Sequence, residues 1–417
     1  MAQTINKPRG TNDFFGQQKR TLDQLVRALD READLYGTEP IEIPVFEEGK
    51  LFKRGVGEST DIVNKETFDL APKGGHDYTL RPEFTAGITR AVIENKLYAS
   101  PDLPLKFRYY GPIFRYERPQ IGRFREFRQW GVEFIDQRID LQTIVSCLAL
   151  FYNQARKAIG IDPLLKVNFL GSFESREQYK KELRKYFEPV IDSMCPDCRR
   201  RLEQNPLRIL DCKVPADRPL IEQAPTVAAY LEESDRQEYQ DILRALDRLQ
   251  IPYVADDRLV RGLDYYTGLV FEIYDRGNPD LGALGGGGKY GKLMADLGGP
   301  DFEGIGYSFG VERLVLSRSG VEQAQSALDL FTIVLDQSKC LEVMSLGASL
   351  QAAGYSVSGA SMNKALNGAM KMADRKNARF VLLADVRGYH LKEMKTRVQT
   401  DSENIADLKI IEKMEEK

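Results

Sequence analysis

Five segments of this chain carry residue types that could handle a phosphate or a small charged molecule. The first runs Tyr109-Tyr-Gly-Pro-Ile-Phe-Arg-Tyr-Glu-Arg118 and continues through Arg123, Arg125, Phe127, Gln129 and Glu133. It reads as a strand bearing Arg115 and Glu117, a turn at Pro119–Gly122, and a return strand whose alternation sets Phe127, Gln129 and Glu133 on one face. Clustered arginines on a strand–loop–strand suit a polyphosphate, because a guanidinium grips phosphate oxygens in pairs and never loses its charge. Charge alone favours a plainer reading, a solvated hairpin laced with ion pairs.

The second segment is Thr79-Leu-Arg-Pro-Glu-Phe-Thr85, where Glu83 and Thr85 offer acceptors for an ammonium group. A turn with Thr85 capping a helix over Ala86–Asn95 explains it equally well. The third, Val260-Arg-Gly-Leu-Asp-Tyr-Tyr-Thr-Gly-Leu-Val-Phe-Glu272, joins an arginine and paired phenols to a strand. It suits a substrate pocket or an ordinary strand entry with core aromatics. The fourth, Gly285-Gly-Gly-Gly-Lys-Tyr290, lets backbone approach a ligand or simply makes a flexible turn. It lacks the spacing of a phosphate-cradling P-loop. The fifth, Gly304-Ile-Gly-Tyr-Ser-Phe-Gly-Val-Glu-Arg-Leu314, runs from a strand into a helix with Arg313 in its first turn. That arginine suits a phosphate or a base, or a surface carboxylate.

These segments need a scaffold. Leu22, Leu25, Val26, Leu29 and Ala33 recur at helical spacing, so residues 16–37 are expected to form an amphipathic helix. Ile41–Val45, Phe107–Tyr110, Val132–Ile135 and Leu269–Tyr274 read as strands. Loops rather than regular crossover helices separate most of them, so the expected fold is an α+β core, a mainly antiparallel sheet flanked by helices. Residues 175–250 are densely charged and helix-forming, with a capping box at Ser234–Gln237, and read as an inserted helical subdomain. The core is then 1–174 with 251–320. Residues 317–328 read as a polar linker. Residues 329–417 alternate strand and helix and are expected to form a small α/β domain with parallel pairing.

Composition adds exclusions. The 417 residues are 42% hydrophobic and 29% charged with net charge −3, an ordinary globular balance that requires any nucleic-acid surface to be local. No apolar run reaches the roughly 20 residues that span a membrane. Met1–Arg9 lacks a secretory signal, so a cytoplasmic location is expected. Five cysteines, an odd and sparse set, argue against a disulfide framework. Cys195-Pro-Asp-Cys198 with Cys212 is similar to part of a zinc knuckle, but no fourth ligand is evident nearby. Buried free thiols are the expectation, with no metal held by protein ligands alone.

The order of the segments resembles the class II aminoacyl-tRNA synthetases. The arginine hairpin is similar to their motif 2 and Phe309-Gly-Val-Glu-Arg313 to their motif 3. Arg261–Gly268 and Pro8-Arg-Gly-Thr-Asn-Asp-Phe14 resemble signatures of the histidyl members, over essentially the whole chain. Class I chemistry needs a paired-histidine signature, which the isolated His76 and His390 cannot supply. The resemblance implies activation of L-histidine by ATP with Mg2+, transfer to tRNA(His), and a homodimer built through the helix at 16–37 and the strand after it. It implies that Glu83 and Thr85 hold the α-ammonium, Gln129 and Glu133 complete the amino-acid pocket, and Tyr265, Tyr266 and Tyr290 line the imidazole side. Arg115 and Arg261 are implied as the catalytic pair across the α-phosphate, both touching histidine. Glu117, Arg123, Phe127 and Arg313 would serve ATP with Arg115, Phe127 stacking on adenine.

The C-terminal domain is similar to this family's anticodon-binding domain. Lys364, Lys371 and Arg375 lead a basic patch with Lys376, Arg379, Lys392, Lys395 and Arg397, suited to phosphate contacts. Two departures stand out. Phe127-Arg128-Gln129 replaces the usual Phe-His-Gln, with Arg128 expected on the opposite face. Lys289-Tyr290-Gly291-Lys292 replaces Arg-Tyr-Asp-Gly, so local ion pairing there must differ. The rival reading is a non-charging regulatory subunit of ATP phosphoribosyltransferase, and a synthetase for another amino acid is a second.

Overall fold

The computed structural model describes residues 4–57, 60, 62–72, 74–119, 122–317 and 328–415. The chain divides into two compact units, Met1–Val321 and Glu322–Lys417. Most of the expected linker at 317–328 lies outside the described residues, as do Gln120 and Ile121 of the expected hairpin turn.

An eight-stranded sheet organises the first unit. Its strands are β1 (Glu39–Pro40), β2 (Leu105–Phe114), β3 (Glu126–Asp136), β4 (Pro163–Phe169), β5 (Tyr253–Ala255), β6 (Tyr266–Asp275), β7 (Gly285–Tyr290) and β8 (Glu303–Gly310). They lie in the order β1-β2-β3-β8-β7-β6-β4-β5. The six inner strands pair antiparallel throughout, and only the edge strands β1 and β5 join in parallel. The antiparallel expectation therefore holds for the inner strands of a mixed sheet.

Alternation along β3 sorts its two faces. Trp130, Val132 and Phe134 enter the main core with Leu22, Leu25 and Leu29 of the helix Gly16–Asp34 and with Ile144, Leu148 and Phe151 of the helix Leu141–Asn153. Burial of each such side chain stabilises by about 1.5–3 kcal/mol, so these helices are committed to one face. The opposite face of β3 presents Gln129 and Glu133 to the site. The helices Phe173–Phe187 and Glu233–Arg248 bury Tyr179, Leu183, Phe187, Ile242 and Leu246 in the same cluster.

Several local expectations are corrected. The first helix ends at Asp34, three residues early, and Gly37 follows with φ 70°. Residues 41–45 form no strand: Arg81 takes the carbonyls of Ile43 and Pro44, and its amide takes that of Val45, where a neighbouring strand would have paired. No capping box forms at Ser234, because the helix already begins at Glu233 and Asp235 is drawn to Ser172 and Ser175. The first hairpin strand stops at Phe114, so Arg115 and Glu117 lie in the loop beyond it. The glycine run is neither loop nor turn but the central strand β7.

The second unit has strands β9 (Leu328–Val334), β10 (Val357–Gly359), β11 (Ala378–Asp385), β12 (Gly388–Glu393) and β13 (Gln399–Ser402), in the order β10-β9-β11-β12-β13. β9 pairs in parallel with β10 and β11, and the helices Cys340–Ala352 and Leu366–Arg375 cross between them. The antiparallel strands β12 and β13 were not foreseen, since Lys392, Lys395 and Arg397 read as a basic surface.

Candidate active site

Glu83 stands just before the helix Thr85–Glu94, and its carboxylate accepts from the amides of Thr85 at 2.7 Å and Ala86 at 2.9 Å. The acid, not Thr85, therefore caps this helix. Thr85 is left free to donate its hydroxyl to Glu133 at 2.6 Å. Tyr290, the last residue of β7, donates to the other oxygen of Glu133 at 2.8 Å. Two fully buried carboxylates thus share one recess. Burial raises Glu83 above the usual carboxylate range, and it pushes Glu133 up to about 8, with Glu83 adding repulsion. A bound cation would relieve both.

All nine residues expected around the amino acid line this recess: Glu83, Thr85, Arg115, Gln129, Glu133, Arg261, Tyr265, Tyr266 and Tyr290. Its floor is formed by β3, β8 and β7. Arg115 arrives from the β2 side and Arg261 from the loop before β6, so the two arginines flank the floor. Arg115 donates to Pro82 O at 2.9 Å. Arg261 is half-buried and pairs with Glu272, which also accepts from Tyr274. Burial alone would weaken the charge of Arg261, but Glu272 and Tyr266 outweigh it and hold the guanidinium protonated.

The residues expected around ATP form a second group joined to the first by Arg115. Glu117 lies 4.0 Å from Arg115 and 3.4 Å from Arg123. Arg313, in the first turn of the helix Val311–Ser317, donates to Ala283 O at 2.6 Å and Gly122 O at 3.3 Å. Burial and then Arg123 lower its pKa against the pull of Glu117 and Glu272, so positive charge is crowded here around two carboxylates. Phe127 lies 5.7 Å from the Arg115 guanidinium. Apart from Arg115, none of this group lines the enclosed recess.

Both departures find a place. Arg128 faces away from the recess and binds Glu312 through its amide at 2.9 Å and its guanidinium at 3.1 Å. Lys289 pairs with Glu238 and Glu303, each at 3.3 Å, and Tyr290 still enters the recess. The N-terminal signature packs on the hairpin, where Gly10 O accepts from Arg125 N at 2.7 Å and Phe14 lies under Arg128.

Sequence reading missed Tyr109, Leu263, Gly306 and Ser308, which also line the recess. The overlooked signal is the pair Gly304 and Gly306. A β-carbon at Gly306 would come within 2.1 Å of the Glu133 carboxylate, and one at Gly304 within 2.2 Å of the Tyr290 ring. In β7, a β-carbon at Gly286 would meet Arg261 at 2.7 Å, and one at Gly288 would meet Tyr266 at 2.7 Å. The glycines make room for the site's own side chains, which explains glycine in a strand that it otherwise weakens.

In the second unit, Lys364, Lys371 and Arg375 are exposed, the last two on the helix Leu366–Arg375. Arg379 of the expected basic patch is instead committed inward, to Met414 O at 2.6 Å.

Residues 68–385 match the family described as tRNA synthetase class II core domain (G, H, P, S and T). A histidine–tRNA ligase of Staphylococcus carnosus is 39% identical over 97% of this chain and 96% of its own length. One from Lysinibacillus sphaericus is 40% identical over 90% of each. The solved apo histidyl-tRNA synthetase of S. aureus superposes with a TM-score of 0.79 at 31% identity, covering 99% of this chain and all of that one.

Proposed function

The chain belongs to the histidine–tRNA ligases of the class II tRNA synthetase family, and from that premise we propose how its residues divide the work. The observation that carries the reading is a recess holding two buried carboxylates, five tyrosines and two flanking arginines. Glu83 and Thr85 take the α-ammonium of histidine. Glu133, Gln129, Tyr265, Tyr266 and Tyr290 surround the side chain, so an analogue lacking an imidazole nitrogen leaves a buried polar group unpaired.

The substrate carboxylate attacks the α-phosphorus of ATP in line, and pyrophosphate leaves. A carboxylate is already ionised at neutral pH, so no general base is required. Arg115 and Arg261 hold the α-phosphate between them, while Arg123 and Arg313 take the outer phosphates and Phe127 stacks on adenine. Catalysis is positioning and charge stabilisation. Glu117, the carboxylate beside Arg115 and Arg123, would help hold a Mg2+ ion brought in with ATP, which would supply neutralisation of the triphosphate charge. In the second step a terminal ribose hydroxyl of tRNA(His) attacks the aminoacyl carbonyl, and a phosphate oxygen of the leaving AMP takes the proton. Lys364, Lys371 and Arg375 contact tRNA phosphates.

A homodimer through the N-terminal segment is supported by Phe15, Leu35, Val45 and Phe46, exposed apolar residues in and around it. No helix among the described residues is long and apolar enough to cross a membrane, and the proposed location is the cytoplasm. The deciding experiment is amino-acid-dependent exchange of labelled pyrophosphate into ATP, run with each amino acid. Exchange with histidine alone is expected. None at all would favour the non-charging regulatory role, and exchange with a different amino acid would reassign the pocket.

A further inference from the structure

Cys195, Cys198, Cys212 and Asp217 bring four donor atoms together outside the histidine recess, all within 4.8 Å of one another. The fold builds the cluster from two short returns. Cys195 N-caps the helix Pro196–Gln204, which carries Cys198 in its first turn. The 3-10 turn Pro206–Asp211 ends on Cys212, and a second, Pro215–Asp217, closes on the carboxylate. Asp217, only five residues beyond Cys212, is the fourth donor that a search for Cys and His alone overlooks.

The distances match a coordination shell. With Zn–S near 2.3 Å and Zn–O near 2.0–2.2 Å, tetrahedral geometry separates two sulfurs by about 3.8 Å and a sulfur from an oxygen by about 3.5 Å. The Cys195 and Cys212 sulfurs are 3.7 Å apart, and the Cys212 sulfur is 3.3 Å from Asp217 Oδ2. Cys198 is fully buried and Asp217 nearly so. Both oxygens of Asp217 accept from the Cys195 amide at 3.2 Å, which orients the carboxylate as an outer-shell contact orients a ligand. Among the described residues no lysine or arginine forms an ion pair with it.

We propose that this cluster binds one zinc ion as a closed structural site. Three thiols and one carboxylate complete a four-ligand shell, and thiolate donors select a soft divalent metal over magnesium or calcium. Binding releases the thiol protons to solvent and involves no redox step. The site pins the segment carrying Asn205, whose side chain donates to Asp264 at 2.8 Å. Asp264 lies within the Arg261–Gly268 stretch that supplies Arg261, Tyr265 and Tyr266. The metal thus acts at a distance on the amino-acid pocket, and this last link alone rests on the function proposed above.

The full-length, untagged chain purified without chelator is analysed for metal by plasma mass spectrometry. One zinc per chain is expected. Cobalt replacing it should give the sulfur-to-cobalt charge-transfer band and intense visible bands of a tetrahedral thiolate site. Cys198→Ser and Asp217→Ala should lower zinc retention, and stripping zinc should raise KM for histidine several-fold, reversed by adding zinc. Metal-free protein that takes up no cobalt overturns the proposal. So does a native mass lacking two hydrogens, the sign of a Cys195–Cys212 disulfide, or full zinc retention by Cys198→Ser. If the variants fail to fold, the metal content and cobalt spectrum of the unaltered chain still decide. Absence of zinc from a chain that exchanges pyrophosphate with histidine refutes the metal site and leaves the enzymatic reading intact.

Discussion

Glu133→Gln tests the histidine pocket most directly. The Glu133 carboxyl is fully buried, accepts from Thr85 at 2.6 Å and Tyr290 at 2.8 Å, and is pushed up to about 8 by burial. The empty site therefore holds Glu133 largely protonated at neutral pH. A cationic group bound beside it favours the carboxylate, so binding expels a proton. Histidine affinity, after correction for the ligand's own ionisation, should rise with pH by up to about tenfold per unit and level off above about 8. The glutamine variant keeps the volume but cannot ionise. Losing one charge-assisted hydrogen bond costs about 1.5–3 kcal/mol. At about 1.4 kcal/mol per tenfold, that weakens Kd by roughly 10–150-fold. The pH step should disappear with it. Calorimetry in two buffers of different ionisation enthalpy measures both the affinity and the proton released. Wild-type affinity falling across this range would refute the reasoning, since it would mean that protonated Glu133 donates to the imidazole. A variant binding within about threefold of wild type would refute it equally.

Arg261→Ala should lower pyrophosphate exchange by about 10²–10³-fold while histidine binding stays largely intact, and near-normal exchange would remove Arg261 from the phosphate clamp. Gly306→Ala forces a β-carbon to 2.1 Å from Glu133 and 2.4 Å from the Val132 carbonyl. The Val132 carbonyl cannot yield without moving β3, and the Glu133 carboxylate must swing out of its place in the pocket, so KM for histidine should rise far more than KM for ATP, with about 1–3 kcal/mol lost in chemical unfolding. Lys371→Glu combined with Arg375→Glu should reduce aminoacylation and flatten its salt dependence while leaving exchange unchanged; parallel loss of both activities would place the defect elsewhere. Because the Glu133 pKa is raised in the fold, its protonated form is the stabilising one. Stability of the unliganded chain should therefore fall as pH rises from about 4.5 toward about 8, a trend that thermal unfolding of Glu133→Gln should show weakened.

Much of the site was legible because its motifs are local. Period-two alternation along β3 set Gln129 and Glu133 apart from Trp130 and Val132, and the same rule turned Arg128 away. The strand at 41–45 was misread because its alternation is real but the carbonyls of Ile43 and Pro44 are claimed by Arg81, 38 and 37 residues further on. The glycine run was misread because glycine carries no pattern of its own, and its meaning lies in the side chains opposite.

What the sequence determined by itself was the family, the sheet-forming segments and a set of polar residues without partners assigned. Those follow from spacing along one chain. Only the tertiary structure decided that Thr85 and Tyr290 meet on Glu133, 48 and 157 residues distant. Only it put Asp217 beside three thiols. Burial is the physical reason, because it comes from the packing of segments remote in sequence, and burial is what turns an ordinary glutamate into one poised to exchange a proton for a bound cation.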